Sequence, residues 1–311
     1  MSQPDIAVLE PSVAALVPGL ADAYRLHPVS SDPATWPAAA RSARALVTSG
    51  GRGATTAQIE ALPSLEIIAI NGVGYDAVDL DAARRRGIRV TNTPDVLTND
   101  VADLAIALMT AVFRRTYAAE RYVRDGGWAS GASIPLGRSA SGRHLGILGL
   151  GRIGKAIAAR AAPMMASISY TGRHAQPGVD YSFVPSLRDL AARVSVLIVV
   201  VPGAADTAGL VDAAVLEALG PDGVLVNIAR GNVVDETALV SALVEGRLGG
   251  AGLDVFMDEP NVPSALLGMD NVVLQPHRGS ATTETRTAMA RLVADNLAAH
   301  FAGRALLTPV V

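Results

Sequence analysis

Ten short runs rich in β-branched and other apolar residues, at 6–9, 45–48, 67–70, 89–91, 144–149, 167–171, 196–201, 224–228, 252–255 and 272–274, alternate with Ala- and Leu-rich stretches of helical length. Strands separated by helix-length connections pair in parallel, because a parallel neighbour needs a crossover, and the crossover helices cover both faces of the sheet. Ten strands exceed one sheet of ordinary size. The pattern predicts an α/β chain with two Rossmann-like, doubly wound parallel-sheet domains. The 311-residue length suits that division, since single cores stop growing at roughly 250–300 residues.

From residue 99 to about 124, apolar residues recur at helical spacing (Val101, Leu104, Ala105, Leu108, Val112). Asp100 suits the N-terminal cap and Asp125-Gly126-Gly127 supplies a stop. One long helix from Asn99 or Asp100 to about Arg124 is expected, and a second amphipathic helix over roughly 282–301 precedes Gly303 and Pro309. Taken as the two crossings between domains, these helices place a discontinuous domain at 1–99 plus a returning tail at 285–311. The other domain then runs over 100–284, with a cleft between the two.

Composition removes several function classes. With 26 Lys plus Arg against 29 Asp plus Glu the net charge is −3, which does not suit neutralising a phosphate backbone, so nucleic acid is not an expected partner. The absence of cysteine excludes disulfides, thiolate zinc sites, iron–sulfur clusters and cysteine nucleophiles. His27, His144, His174 and His300 have no partners at ligand spacing, so no metal is expected. The 50% apolar content is only 4% aromatic, and its longest run, 194–202, is strand-sized, far short of the roughly 20 residues that span a bilayer. The first ten residues show no basic flank followed by an apolar stretch. A soluble, cytoplasmic protein without a membrane partner is expected.

The segment from His144 to Lys155 runs a buried strand into a glycine turn and then an Ala-rich helix. In Gly149-Leu150-Gly151-Arg152-Ile153-Gly154, Gly149 permits the tight turn, Gly151 lets a pyrophosphate approach the backbone, and Gly154 lets helix pack on strand. The helix N-terminus would supply oriented N–H groups to a dinucleotide. The next strand ends at Thr171-Gly172-Arg173-His174, where NAD enzymes place a carboxylate on the adenine ribose. No carboxylate is present. Arg173 can instead hold a 2′-phosphate by charge-assisted bonds, which points to NADPH/NADP with NADH as the weaker alternative. The bland alternative is a solvated surface charge.

Further strings then occur in order: Asn71-Gly-Val-Gly-Tyr-Asp76, Asn92-Thr-Pro94, Val101-Ala-Asp103, the glycine turn, Asn227-Ile-Ala-Arg-Gly231 with Val234-Asp-Glu236, Ala251-Gly-Leu-Asp-Val255 with Glu259-Pro260, and Pro276-His-Arg-Gly-Ser-Ala-Thr282. Together they cover nearly the whole chain, which resembles the D-isomer-specific 2-hydroxyacid dehydrogenases, in particular the NADPH-preferring glyoxylate/hydroxypyruvate reductases and hydroxyphenylpyruvate reductases. The resemblance implies a homodimer that reduces a small 2-oxo acid, such as glyoxylate or hydroxypyruvate, to the D-2-hydroxy acid. It implies that Arg230 grips the substrate, that His277 is the acid/base and that Glu259 partners it. It also implies that Asp254 holds the nicotinamide carboxamide and that Val73 and Gly74 offer backbone N–H groups to the substrate carboxylate. Val201, Pro202, Thr207, Ile228, Ala229, Arg230, His277 and Gly279 complete the implied cofactor-binding set. An NAD-linked dehydrogenase and a non-catalytic nucleotide-sensing corepressor are the rival readings, and the second has no need of Arg230, Glu259 and His277 together.

These residue types suit the chemistry. A histidine, with an ordinary pKa of about 6.5, can donate a proton near neutrality. A carboxylate beside it favours and orients the imidazolium, and an arginine polarises a carbonyl and clamps a carboxylate. All three residues follow apolar strand runs, where α/β proteins place ligands. Singly, each has a plain alternative: a surface charge at Arg230, a turn acid at Glu259, a loop histidine at His277. Asp254 could equally be a cap, and Val73-Gly74 only a turn in which Gly72 and Gly74 take φ > 0. Trp128 reads as either an interface anchor or core filler. Two strings depart from the resemblance: Met164-Met165-Ala166 replaces a usual glycine, and Gly203-Ala-Ala-Asp206-Thr207 replaces the usual Thr-Pro-Glu-Thr.

Overall fold

The computed structural model describes residues 3–311. They form two compact units, one made of the chain up to Leu97 together with Ser280–Val311, the other of Thr98–Gly279. The first unit holds β1 (Asp5–Val8), β2 (Arg25–Pro28), β3 (Ala45–Ser49), β4 (Ile67–Asn71) and β5 (Arg89–Thr91), all parallel, in the order β2-β1-β3-β4-β5. The alternation of side chains along these strands builds two cores. Ala7, Leu46, Ile68 and Ile70 enter one. Ile6, Val8, Ala45, Val47, Ile67 and Ala69 enter the other, which the helix Thr283–Phe301 covers with Ala290, Val293 and Leu297. Two-sided burial explains why the strands read as continuous apolar runs.

The second unit holds β6 (His144–Leu148), β7 (Ser167–Thr171), β8 (Ser182–Phe183), β9 (Val196–Val199), β10 (Val224–Asn227), β11 (Gly250–Leu253) and β12 (Val272–Leu274), again all parallel, in the order β12-β11-β10-β9-β6-β7-β8. The order reverses between β6 and β9, so the chain leaves their carboxyl ends in opposite directions and opens a crevice there. The doubly wound parallel-sheet architecture expected from the alternating pattern is present in both units.

Three local expectations are corrected. Two strands were absent from the apolar runs: β2, whose Arg-Leu-His-Pro sequence is partly exposed at a sheet edge, and the two-residue β8 at another. The run placed at 252–255 is a strand two residues earlier, because Gly250 and Gly252 lie inside it and weaken the β signal. The long helix expected to about Arg124 is two helices, Thr98–Arg114 and Thr116–Arg124, parted by Arg115 at φ 51°. The reason is that the Phe113 carbonyl accepts the Arg138 N–H at 2.6 Å and the Arg115 N–H closes a tighter bond to Val112 at 3.2 Å, which terminates the first helix from outside.

Candidate active site

The glycine turn leaves β6 at Gly149, whose φ of 100° is open to glycine and whose N–H reaches the Thr171 carbonyl at 3.0 Å. A Cβ at Gly154 would lie 2.2 Å from the Gly149 carbonyl oxygen, so the helix Arg152–Ala161 sits on the turn only because that side chain is missing. A Cβ at Gly151 would meet no atom within 4 Å, and no side chain caps this helix end. Its first N–H groups therefore face an open cradle, which fits a pyrophosphate. Leu150 is buried under the turn, Arg152 is exposed and Ile153 half-buried.

At the end of β7, Thr171 is buried and donates its hydroxyl to the Pro185 carbonyl at 3.3 Å, so it is spent inside the fold. Gly172 and Arg173 are exposed, and a Cβ at Gly172 would also meet nothing within 4 Å. After β9, Val201, Pro202 and Thr207 lie on one loop, with the Thr207 hydroxyl turned back on the Pro202 and Ala204 carbonyls at 2.5 and 2.9 Å. Ile228 and Ala229 are buried after β10.

Arg230 follows them on a turn held by Asn227. The buried Asn227 amide donates to the Arg230 carbonyl at 3.0 Å and accepts the Ala229 N–H at 3.0 Å. Gly231 lets this turn press on the segment after β11, since a Cβ there would stand 2.0 Å from the Phe256 carbonyl. That segment carries Glu259. One oxygen of Glu259 accepts the Phe256 N–H at 3.2 Å and the other meets His277 Nδ1 at 2.8 Å, which leaves Nε2 outside this pair. Burial raises the Glu259 pKa, but the bond and charge of His277, the Phe256 N–H and Arg230 outweigh it and hold the carboxyl below its usual range.

Asp254, at 2% exposure, holds three consecutive N–H groups. Its backbone carbonyl accepts from His277 at 2.8 Å, and its two carboxylate oxygens accept from Arg278 at 2.5 Å and Gly279 at 2.8 Å. These bonds secure His277 in a left-handed conformation, φ 54°, that a non-glycine residue rarely adopts. Both carboxylate oxygens are thus engaged within the turn. Burial pushes the Asp254 pKa up against the pull of those N–H groups. Sequence reasoning assigned Asp254 only a cofactor or capping role and overlooked this bracing. The signal was faint, a buried-strand Asp followed much later by a Pro-His-Arg-Gly turn.

In the first unit, Val73 and Gly74 lie half-buried after β4, with the Val73 carbonyl accepting from Asn92 at 2.8 Å. The expectation that Gly72 and Gly74 take positive φ is corrected, since neither does. The glycine at 72 serves a close approach instead, because a Cβ there would lie 3.2 Å from the Gly50 nitrogen. Trp128 is 73% exposed, which rules out core filler. His27 pairs with Asp5, His144 with Ser167 and His300 with Glu66.

Comparisons with known proteins bear on the family and the fold. The family model described as "D-isomer specific 2-hydroxyacid dehydrogenase, NAD binding domain" matches residues 106–279. The chain is 48% identical over 310 residues to a 2-ketogluconate reductase of Gluconobacter oxydans, covering 100% of this chain and 99% of that protein. It is 53% identical over 272 residues to a hydroxyphenylpyruvate reductase of Plectranthus scutellarioides, covering 88% and 87%. Among solved structures, an NADPH-dependent glyoxylate/hydroxypyruvate reductase from Sinorhizobium meliloti, in complex with NADP and malonate, superposes with a TM-score of 0.94 at 46% identity, covering 100% of this chain and 97% of that one.

Proposed function

Because the chain belongs to the D-isomer-specific 2-hydroxyacid dehydrogenases, we propose that it reduces a small 2-oxo acid to the D-2-hydroxy acid with NADPH. The observation that carries this reading is the 2.8 Å bond between Glu259 and His277 Nδ1, on a braced turn of the unit that also holds the open glycine cradle. NADPH, when bound, supplies the hydride. Gly149–Gly154 would cradle its pyrophosphate, and Arg173 its 2′-phosphate. His277 gives a proton from Nε2 to the carbonyl oxygen as the carbon is reduced, and Glu259 stabilises the imidazolium before that transfer. Arg230 holds the substrate carboxylate and polarises the carbonyl beside it. One 2-oxo acid, one NADPH and one proton thus give one D-2-hydroxy acid and one NADP.

In this reading Thr98–Gly279 is the dinucleotide-binding unit, supported by the family match to 106–279, and the first unit serves the substrate. No helix among the described residues is long and apolar enough to cross a membrane, and we place the enzyme with the cytoplasmic NADPH pool. The exposed Trp128, Leu136 and Val123 support a homodimer. The relatives are named for different 2-oxo acids, so the deciding assay is a panel of glyoxylate, hydroxypyruvate, 2-ketogluconate and phenylpyruvate with NADPH and with NADH. Turnover faster with NADPH is expected. Faster turnover with NADH would replace the cofactor assignment, and no turnover with any of the four acids would overturn the function.

A further inference from the structure

Asn232 lies two residues beyond Arg230, in the turn Gly231–Val233, and grips the 203–209 loop at both ends. Its side-chain Nδ2 donates to the Gly203 carbonyl at 3.0 Å, and its own carbonyl accepts the Gly209 N–H at 2.8 Å. Between these bonds the stem of Arg230 rests on Gly203. A Cβ at residue 203 would stand 2.5 Å from Arg230 Cγ, 2.8 Å from Arg230 Cβ and 2.9 Å from Asn232 Oδ1. The first two carbons of the arginine therefore lie in a slot floored by a glycine, and Asn232 sets where that floor is. The clasp is kept although it buries Oδ1 without a hydrogen-bond partner, an arrangement that is unfavourable in itself.

We infer that Asn232 is a positioning residue for the 2-oxo acid, acting through Gly203 to hold the Arg230 stem, whose guanidinium Nη1 donates to the Ala229 carbonyl at 2.8 Å, so that the guanidinium is placed before substrate arrives. The inference rests on the reading of Arg230 as the substrate-gripping arginine. An arginine side chain loses substantial rotamer freedom when it is immobilised. Fixing the stem in advance removes part of that loss from the binding step, so the effect belongs in substrate affinity. In sequence the 203–207 string reads as a departure with Thr207 in the implied cofactor set, and Asn232 has no role.

The test uses the full chain with NADPH, hydroxypyruvate as substrate and oxamate as a non-reacting 2-oxo acid analogue. Asn232→Ala is expected to raise the hydroxypyruvate KM and the oxamate Kd by about tenfold, with NADPH Kd changed by less than about threefold; tenfold corresponds to about 1.4 kcal/mol. In an Arg230→Ala background, which removes the stem beyond Cβ, the same substitution should change the oxamate Kd by less than about twofold, because coupled residues are not additive. Gly203→Ala keeps the Asn232 side chain but presses on both the arginine stem and Asn232 Oδ1, and should give the same rise in KM. An unchanged KM, an equal fold-loss in both backgrounds, or an NADPH Kd that worsens as much as the oxamate Kd would each overturn the inference. If Asn232→Ala loses its cooperative thermal transition, the Gly203→Ala cycle with Arg230→Ala, read as the oxamate Kd, decides in its place. A wild type that reduces no 2-oxo acid would fail the functional reading itself, whereas an active wild type insensitive at Asn232 would overturn this inference alone.

Discussion

Asp254 and Glu259 stand five positions apart around one histidine turn, yet their surroundings move their protonation in opposite directions. Burial dominates at Asp254 and raises its pKa, while at Glu259 the bond and charge of His277 overcome burial and lower it. Glu259 is thus held as the carboxylate that orients the His277 ring through Nδ1. The side chains of this pair are 41% and 35% exposed, so water screens it, and its value lies in orientation more than in stability. At the other end of the proposed cofactor site, Gly172 and Arg173 carry the expected preference for NADPH. Replacing Arg173 by Asp removes a charge-assisted bond to the 2′-phosphate, of about 1.5–3 kcal/mol, and should raise the NADPH KM by at least about tenfold. NADH should be little affected, because the open space at Gly172 leaves room for a carboxylate near the ribose. A steady-state cofactor ratio unchanged from wild type would remove Arg173 as the selecting residue. The roles proposed for Arg230, Glu259 and His277 come from the resemblance of their strings, and their positions after strands agree with it. The Asp254 brace and the Asn232 clasp were not legible in sequence, because each joins loops that only the folded sheet brings together.

Strands and helices were legible in proportion to their burial. The strands buried on both faces gave strong apolar runs, whereas the edge strands β2 and β8 gave almost none. β11 shows a third case, a fully buried strand whose glycines hide it. Those glycines answer to the helix Thr98–Arg114, since a Cβ at Gly252 would stand 2.9 Å from Leu108 Cβ. That neighbour is fixed to a helix backbone and cannot swing away. Gly252→Ala should therefore destabilise the protein by about 1–3 kcal/mol, the usual cost of overpacking, read as a lower urea midpoint with an unchanged slope. A midpoint equal to wild type would show that the helix yields there without cost. The same helix explains the misplaced end near Arg124, since Phe113 gives its carbonyl to Arg138 instead of to the next turn. No local periodicity carries that information.

For the molecule as a whole, composition narrowed the chemistry by exclusion: no cysteine, little net charge, and no apolar run of membrane length. It could not foresee where apolar surface would be left uncovered. Trp128 at 73%, Leu136 at 92% and Val123 at 53% exposure all fall in the segment after the first long helix. Large apolar side chains grouped this way mark an interaction surface, and tryptophan is the residue most often found anchoring one. A stable pairing of two chains buries about 1,600 Å² in all, more than one tryptophan can supply, so Leu136 and its neighbours should share the contact. Sedimentation equilibrium should accordingly give twice the 31.9 kDa chain mass. The double substitution Trp128→Glu with Leu136→Glu should return the monomer mass, because two carboxylates from each chain, four in all, would then have to be desolvated in the contact without partners. A monomeric wild type, or a double variant that still sediments as a dimer, would show that this segment is not where two copies meet.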